Sequence, residues 1–292
     1  MKPAPFAYHR AHSVAEAVAL LAELGDEAKI LAGGLSLVPM MNFRLARPAA
    51  LVDVSRIEGL SYLRAGAGDG LRIGALTTHR AVEISRDPLV LRDFGVLPRS
   101  ARWIGHYPIR SRGTFGGSIA HADPASEWCL LAVLLDAQVV LAGPGGPRTV
   151  PAAEFFEGYY STAASPDEMI TEIWFPVPAR QAVLTEFAQR QGDFAIVAAV
   201  VSADIADGVC RRGRVVLGGV GPLPVEVDAA PLAGQPATDR TWRAMGEHAA
   251  SQIDPPEDTQ GDAGFRRRLT ATLVSRALAE ASQVSQPAGD TG

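Results

Sequence analysis

The sequence predicts a mixed α+β protein: two compact α/β units, then a C-terminal domain of antiparallel sheet and helices. Three observations predict this. Over the first 176 residues, short apolar runs alternate with stretches of helical spacing. Pro176-Val177-Pro178 then interrupts the chain as a hinge or linker. Beyond it come three strand-like runs, 184–189, 195–205 and 213–220, and two helical ones, 240–251 and 265–282. The divisions fall at 1–55, 56–176 and 177–284, and the polar, Gly- and Pro-bearing tail at 285–292 is expected to be disordered. A chain of 292 residues is long enough for two or three hydrophobic cores.

In the first unit, Ser13-Val14-Ala15-Glu16 has the form of a capping box. Val14, Val18 and Leu21 then recur at helical spacing until Gly25. Residues 28–32 read as a short buried strand that delivers the chain into a glycine turn. Ser36 is expected to cap a helix through Leu45, with Pro39 tolerated in its first turn. Residues 50–54 are a second apolar strand. In the next unit, 71–76 alternates as a strand, and Thr77-Thr78-His79 leads into a short helix ending near Asp87-Pro88. The stretch 89–104 is helical in character but interrupted by Gly95 and Pro98. A helix is expected over 124–135, a strand at 138–141, an exposed turn at 143–147, one helical turn at 151–156 and a closing strand at 169–175.

Composition excludes several functions. Hydrophobic content of 47% and charged content of 20% are those of a soluble globular chain. The formal net charge of −5 opposes a general grip on nucleic acid, which needs concentrated positive charge. No apolar run approaches the roughly 18 residues of a membrane span, and the N-terminus lacks the apolar stretch of a signal peptide. Cys129 and Cys210 are isolated, so neither a disulfide framework nor a metal cluster can be built on them, and the expected compartment is cytoplasmic. The six histidines form no metal-ligand pattern. No metal site is predicted.

Chemistry concentrates at two glycine-bearing loops. The first is Ala32-Gly33-Gly34-Leu35-Ser36, and the second is Arg112-Gly113-Thr114-Phe115-Gly116-Gly117-Ser118. Each joins adjacent glycines to a hydroxyl and precedes a helix. Glycine lets backbone N–H groups approach an anion, and a helix N-terminus adds unpaired donors and partial positive charge. Two such loops suit the two phosphates of a dinucleotide, although neither follows G-x-G-x-x-G or the P-loop. Taken singly, each also reads as an ordinary glycine turn. Ser36 lacks the second glycine of a nucleophile elbow, which favours a phosphate-directed hydroxyl over a hydrolase nucleophile. Asp123 and Glu127 stand at i and i+4 around a helix start. They serve either the helix dipole or the hydroxyls of a cofactor's ribityl or ribose chain. His121, beside the second loop, is expected to hydrogen-bond backbone or solvent. Phe194, in Gln191-Gly192-Asp193-Phe194-Ala195, is either core or a ring stacked on a flavin.

Together these residues resemble a known family. Residues 28–41, Ala-Lys-Ile-Leu-Ala-Gly-Gly-Leu-Ser-Leu-Val-Pro-Met-Met, resemble the first FAD loop of the FAD-binding medium subunits of molybdenum hydroxylases. The likeness continues through 44–48 and 51–54, and residues 110–124 match the family's most specific stretch. Shorter matches fall at 73–78, 192–195 and 218–221. The resemblance implies a vanillyl-alcohol-oxidase-like (PCMH-type) fold of two α/β subdomains holding FAD, with a C-terminal domain carrying a three-stranded antiparallel sheet and helices. It places FAD contacts at Lys29, Ala32, Gly33, Gly34, Leu35, Ser36 and Leu37. Others fall at Thr114, Phe115, Gly116, Gly117 and Ser118, at Asp123 and Glu127, and at Phe194 near the isoalloxazine. Three departures accompany it: Leu35 for the usual Gln or His, Phe115 for Ile or Val beside the flavin, and Phe194 for Tyr.

The resemblance further implies a redox subunit with no side chain acting as acid or base on substrate. Relatives work with a small subunit carrying two [2Fe–2S] clusters and a large subunit carrying the molybdenum cofactor, expected here as a dimer of heterotrimers. Electrons then pass through FAD to an external acceptor. Two cysteines cannot supply the four thiolates of the additional cluster found in hydroxybenzoyl-CoA reductases. The alternative is a stand-alone FAD-dependent oxidoreductase of the same fold.

Overall fold

The computed structural model describes residues 2–284, so the expected tail at 285–292 lies outside the described residues. The first unit is a three-stranded parallel sheet of β1 (Ala7–Arg10), β2 (Ala28–Leu31) and β3 (Ala50–Asp53), ordered β1-β3-β2. Central β3 is buried throughout, as its unbroken apolar start requires. Strand β1 was not legible because it is an edge strand with mostly exposed residues and no apolar alternation. Helix α1 (Val14–Leu24) packs Ala17, Val18 and Leu21 inward. Ser13 caps it, its Oγ accepting from Glu16 N–H at 3.1 Å, while the Glu16 carboxylate takes the His12 N–H rather than that of Ser13. Helix α2 (Leu37–Asn42) stops short of the expected Leu45. Arg44 turns left-handed at φ 59°, and the N–H groups of Leu45 and Ala46 fold back onto the Met40 carbonyl. Ser36 precedes α2 in helical conformation and makes no side-chain cap.

The second unit opens with β4 (Leu63–Ala65) and β5 (Leu71–Gly74), followed by six helices. These are α3 (His79–Glu83), α4 (Pro88–Asp93), α5 (Val96–Ser100), α6 (Tyr107–Arg112), α7 (Phe115–His121) and α8 (Glu127–Leu134). Then come β6 (Gln138–Gly143), β7 (Gly146–Pro151), α9 (Ala152–Phe155), β8 (Phe156–Gly158), β9 (Ser161–Thr162) and β10 (Met169–Phe175). The sheet is ordered β4-β5-β10-β6-β7, with β10 antiparallel to both neighbours. Its core gathers Phe94, Phe115, Phe155, Phe175 and Trp128, all fully enclosed.

The second glycine loop is the main correction to the expected fold. Residues 107–112 and 115–121 are helices, leaving only Gly113 and Thr114 between them. Helix α6 buries no residue, so it has no apolar stripe to read. The helix expected from Pro124 begins at Glu127, because Ser126 is still extended and the Asp123 carboxylate holds the connection through Ala125 N–H at 2.8 Å.

The C-terminal domain carries β11 (Ala182–Phe187), β12 (Val197–Ala206) and β13 (Val209–Gly218) as an antiparallel meander. To the expected three strands the structure adds β14 (Val225–Val227) and β15 (Gln235–Pro236), both paired with β13. Each is too short to show a pattern. Helices α10 (Asp239–Ser251) and α11 (Ala263–Gln283) cover one face. The other face presents Ala182, Leu184, Ala198, Val200 and Val216 to the core of the second unit, so the sheet joins two cores at once.

Candidate functional site

The first glycine segment leaves β2 and enters α2 with residues 31–37 half-buried. Gly34 sits at φ 74°, where a side chain is strained, and its carbonyl accepts from Val38 N–H at 3.0 Å. The N–H groups of residues 33–37 have no acceptor among the described residues. Five successive N–H groups on a half-exposed turn are thus left open to an acceptor from outside the chain. The second segment behaves differently. Phe115 N–H donates to Thr77 carbonyl at 2.8 Å, Gly116 N–H to Ala75 carbonyl at 2.9 Å, and Gly117 N–H to Thr114 Oγ at 3.1 Å. The expected free donors of this helix start are therefore mostly spent on docking α7 to the end of β5, and Gly117 and Ser118 remain half-exposed.

Two of the glycines expected at the phosphates are also crowded by the chain itself. A Cβ on Gly33 would lie 2.2 Å from the Arg112 carbonyl oxygen, so this glycine lets the two segments touch. A Cβ on Gly116 would lie 2.6 Å from the Ala75 Cβ, so this one lets α7 seat on β5. Behind them, a Cβ on Gly113 would meet His79 Nε2 at 2.7 Å. His79 also accepts from Trp128 Nε1 at 2.9 Å through Nδ1, and burial, then Arg110, pushes its pKa down to about 4. It stands as a neutral buttress for the joint between α6 and α7. In the sequence His79 marks only a helix start, because its partners are 34 and 49 residues away.

The Phe115 ring, expected beside the flavin, is wholly buried. It stacks on Trp128 with centroids 4.5 Å apart and meets Phe175 edge-on at 6.0 Å. As the first residue of α7 it points back into the core, which leaves its backbone alone near the site. Asp123 and Glu127 are likewise buried, at 9% and 8% exposure. Asp123 also takes the Tyr160 hydroxyl at 3.3 Å, and the Tyr160 ring packs on His121. Ser118 Oγ and Ser126 Oγ lie 2.9 Å apart, binding the first turn of α7 to the approach to α8. Burial, then the nearby Glu186 carboxyl, raises the Glu127 pKa well above the usual carboxylate range.

Lys29 is exposed on β2, and Ala32, Leu35, Ser36 and Leu37 line the half-buried turn with Gly33 and Gly34. Phe194 is 57% exposed on the turn before β12, so the core reading is excluded. That turn is anchored from behind. The buried Arg266 guanidinium donates to the Ile196 and Gly219 carbonyls and to Asp258. Among the described residues no His, Cys, Asp and Glu group could hold a metal ion, and Cys129 and Cys210 are free and buried.

Comparison with known proteins gives two adjoining matches. Residues 4–178 match the FAD binding domain in molybdopterin dehydrogenase, and residues 182–281 match the CO dehydrogenase flavoprotein C-terminal domain. The 6-hydroxypseudooxynicotine dehydrogenase complex subunit alpha of Paenarthrobacter nicotinovorans is 37% identical, covering 98% of each chain. The carbon monoxide dehydrogenase medium chain of Hydrogenophaga pseudoflava is 36% identical, over 95% of this chain and 97% of that one. Quinoline 2-oxidoreductase from Pseudomonas putida 86 contains a chain that superposes with a TM-score of 0.93 at 31% identity, covering 98% of this chain and 100% of that one.

Proposed function

Because the chain belongs to the family of FAD-binding medium subunits of molybdenum hydroxylases, we propose that it is the electron-transfer subunit of a heterotrimeric dehydrogenase. In that role it takes electrons from [2Fe–2S] clusters of a small partner subunit and delivers them through bound FAD to an external acceptor. A large partner subunit holds the molybdenum cofactor, and the complex is a cytoplasmic dimer of heterotrimers. Among the described residues no helix is long and apolar enough to cross a membrane. The relatives above are named for three different substrates yet each matches 95% or more of this chain. That supports a role common to all of them, with substrate choice made elsewhere in the complex.

The single observation that carries the reading is the run of free donors at residues 33–37, pressed against the α6–α7 joint through Gly33. It fits a pyrophosphate. Residues 32–37 and Lys29 would hold the phosphates, with Thr114, Gly117 and Ser118 closing the opposite wall. Asp123 and Glu127 would serve the ribityl or ribose hydroxyls, and Phe194 would lie along the flavin ring. Phe115 and Gly116 contribute by seating α7. Bound FAD supplies one- and two-electron redox chemistry, and the protein supplies position and polarity.

Purification of the complex from its host, with subunit, metal and visible-absorption analysis, tests the proposal. Three chains with flavin, iron–sulfur and molybdenum are expected. A lone yellow chain reducing its own substrate would replace it with the stand-alone oxidoreductase.

A further inference from the structure

Two contacts at opposite ends of α6 join it to distant parts of the chain. At its C-terminal end, the Arg112 carbonyl and Gly113 lie against Gly33. At its N-terminal end, His106 lies against the turn that carries Phe194. A Cβ on Gly192 would sit 2.6 Å from His106 Cε1 and 2.7 Å from its Nδ1. Gly192 has φ 89°, so glycine alone lets the backbone take this shape and lie close on the imidazole. Helix α6 has six residues, which sets its two ends about 9 Å apart. The glycine turn of the first unit and the Phe194 turn of the C-terminal domain are thus spaced by one short helix of the second unit.

His106 is braced on its own side. Its ring makes no cap on α6, and its carbonyl accepts from Arg110 N–H at 3.1 Å. Arg110 Nη1 donates to the Gly105 and Ile104 carbonyls at 2.8 and 3.3 Å, while its Nε holds Glu83 at 2.9 Å. Arg80 pairs with the same Glu83 and lies over the next ring, Tyr107, at 5.5 Å from its centroid. The Phe194 turn is braced on the far side. Asp193 N–H donates to the Arg190 carbonyl at 3.1 Å and Ile196 N–H to the Phe187 carbonyl at 2.8 Å, and Arg266 holds the Ile196 carbonyl. Between these two braces the imidazole is the spacer. Phe194 itself projects from the braced turn mostly exposed, so the bracing does not serve to bury it.

We propose that His106 is a positioning residue for the flavin: by filling the gap between the start of α6 and Gly192, it fixes where Phe194 stands against the bound ring. The inference rests on the FAD reading above. It adds that α6 sets the spacing between the phosphate end and the ring end of the site. His106 acts through Gly192 and Phe194 and donates nothing to the cofactor. Without the imidazole, the turn has room to move toward α6, and Phe194 moves with it.

The test compares variants of the full chain, first stripped of flavin and then titrated with FAD. In the flavin-free chain, His106→Ala is expected to quicken amide exchange over residues 193–196 by roughly 2- to 30-fold, the range of a direct contact between neighbours. Once FAD is added, the visible band and fluorescence of the bound flavin are expected to differ from wild type in His106→Ala. They are expected to return in His106→Phe, which refills the gap with a flat ring. Gly192→Ala supplies a second route, since its methyl group meets the imidazole. Combined with His106→Ala, its effect on the FAD Kd is expected to fall short of the product of the two single effects. Wild-type exchange in His106→Ala, a weakened Kd with a wild-type flavin band, or fully multiplicative effects in the double variant overturns the inference. A folded wild type that takes up no FAD would instead overturn the FAD reading itself, and the exchange measurement in the flavin-free chain keeps the two failures apart.

Discussion

Replacing Gly33 with alanine places a methyl group 2.2 Å from the Arg112 carbonyl oxygen and 2.9 Å from the Gly113 Cα. Both are backbone atoms, so no side chain can swing aside. The two segments must separate by roughly 1 Å to restore van der Waals distance. Overpacking of this kind costs about 1–3 kcal/mol. At about 1.4 kcal/mol per tenfold, that weakens any ligand needing both walls by ~5- to 150-fold. The assay is FAD titration of Gly33→Ala beside Gly145→Ala, whose added Cβ meets nothing within 4 Å. Weakening in the first and an effect under twofold in the second are expected. Wild-type affinity in Gly33→Ala would refute the argument that the Gly33–Arg112 contact sets the spacing of the cradle.

Three further predictions follow from the same joint. Thr114→Ala removes the cap on Gly117 N–H and should cost about 0.5–2 kcal/mol of stability in urea unfolding, with Thr114→Ser recovering most of it. Phe115→Ala should cost about 3–5 kcal/mol, whereas Phe115→Leu should leave the visible spectrum of bound flavin unchanged. A shifted flavin band in Phe115→Leu would restore the ring to the flavin's surroundings. His79 stays neutral when folded down to about pH 4 against an ordinary 6.5. The unfolded chain therefore binds the proton first, and stability present above pH 6.5 is lost as pH falls toward 4, by about 3 kcal/mol in all. Glu127 and Glu186, both raised by burial to about 8 and about 7, act oppositely, their contribution being greatest below the ordinary glutamate value of 4.5 and lost as pH rises through neutrality. Comparing the pH dependence of unfolding in His79→Gln and wild type isolates the histidine, and an identical acid limb would count against it.

Elements with a complete local pattern were legible. Helix α1 announces itself by its cap and spacing, β3 and β10 by apolar runs, and the C-terminal meander by three alternating segments. Elements whose cause is non-local were not. β1, β4 and β7 are held by neighbours rather than by their own pattern, and the α6–α7 joint is shaped by His79, Trp128 and the end of β5. The same division runs through the site. The glycines mark where the cradle is, yet Gly33 and Gly116 are glycines because backbone or core crowds them, a fact visible only in three dimensions.

The Arg266 clamp has a consequence for reading natural variation. This guanidinium belongs to the last helix, 70 residues from the Ile196 carbonyl it holds. A substitution there, or at its partner Asp258, would loosen the turn that presents Phe194 while leaving every glycine of the cradle untouched. On the proposed placement of Phe194 along the flavin, lesions at either position would masquerade as flavin-pocket defects in a survey of loss-of-function alleles. Their cause would lie in a helix that no cofactor motif marks.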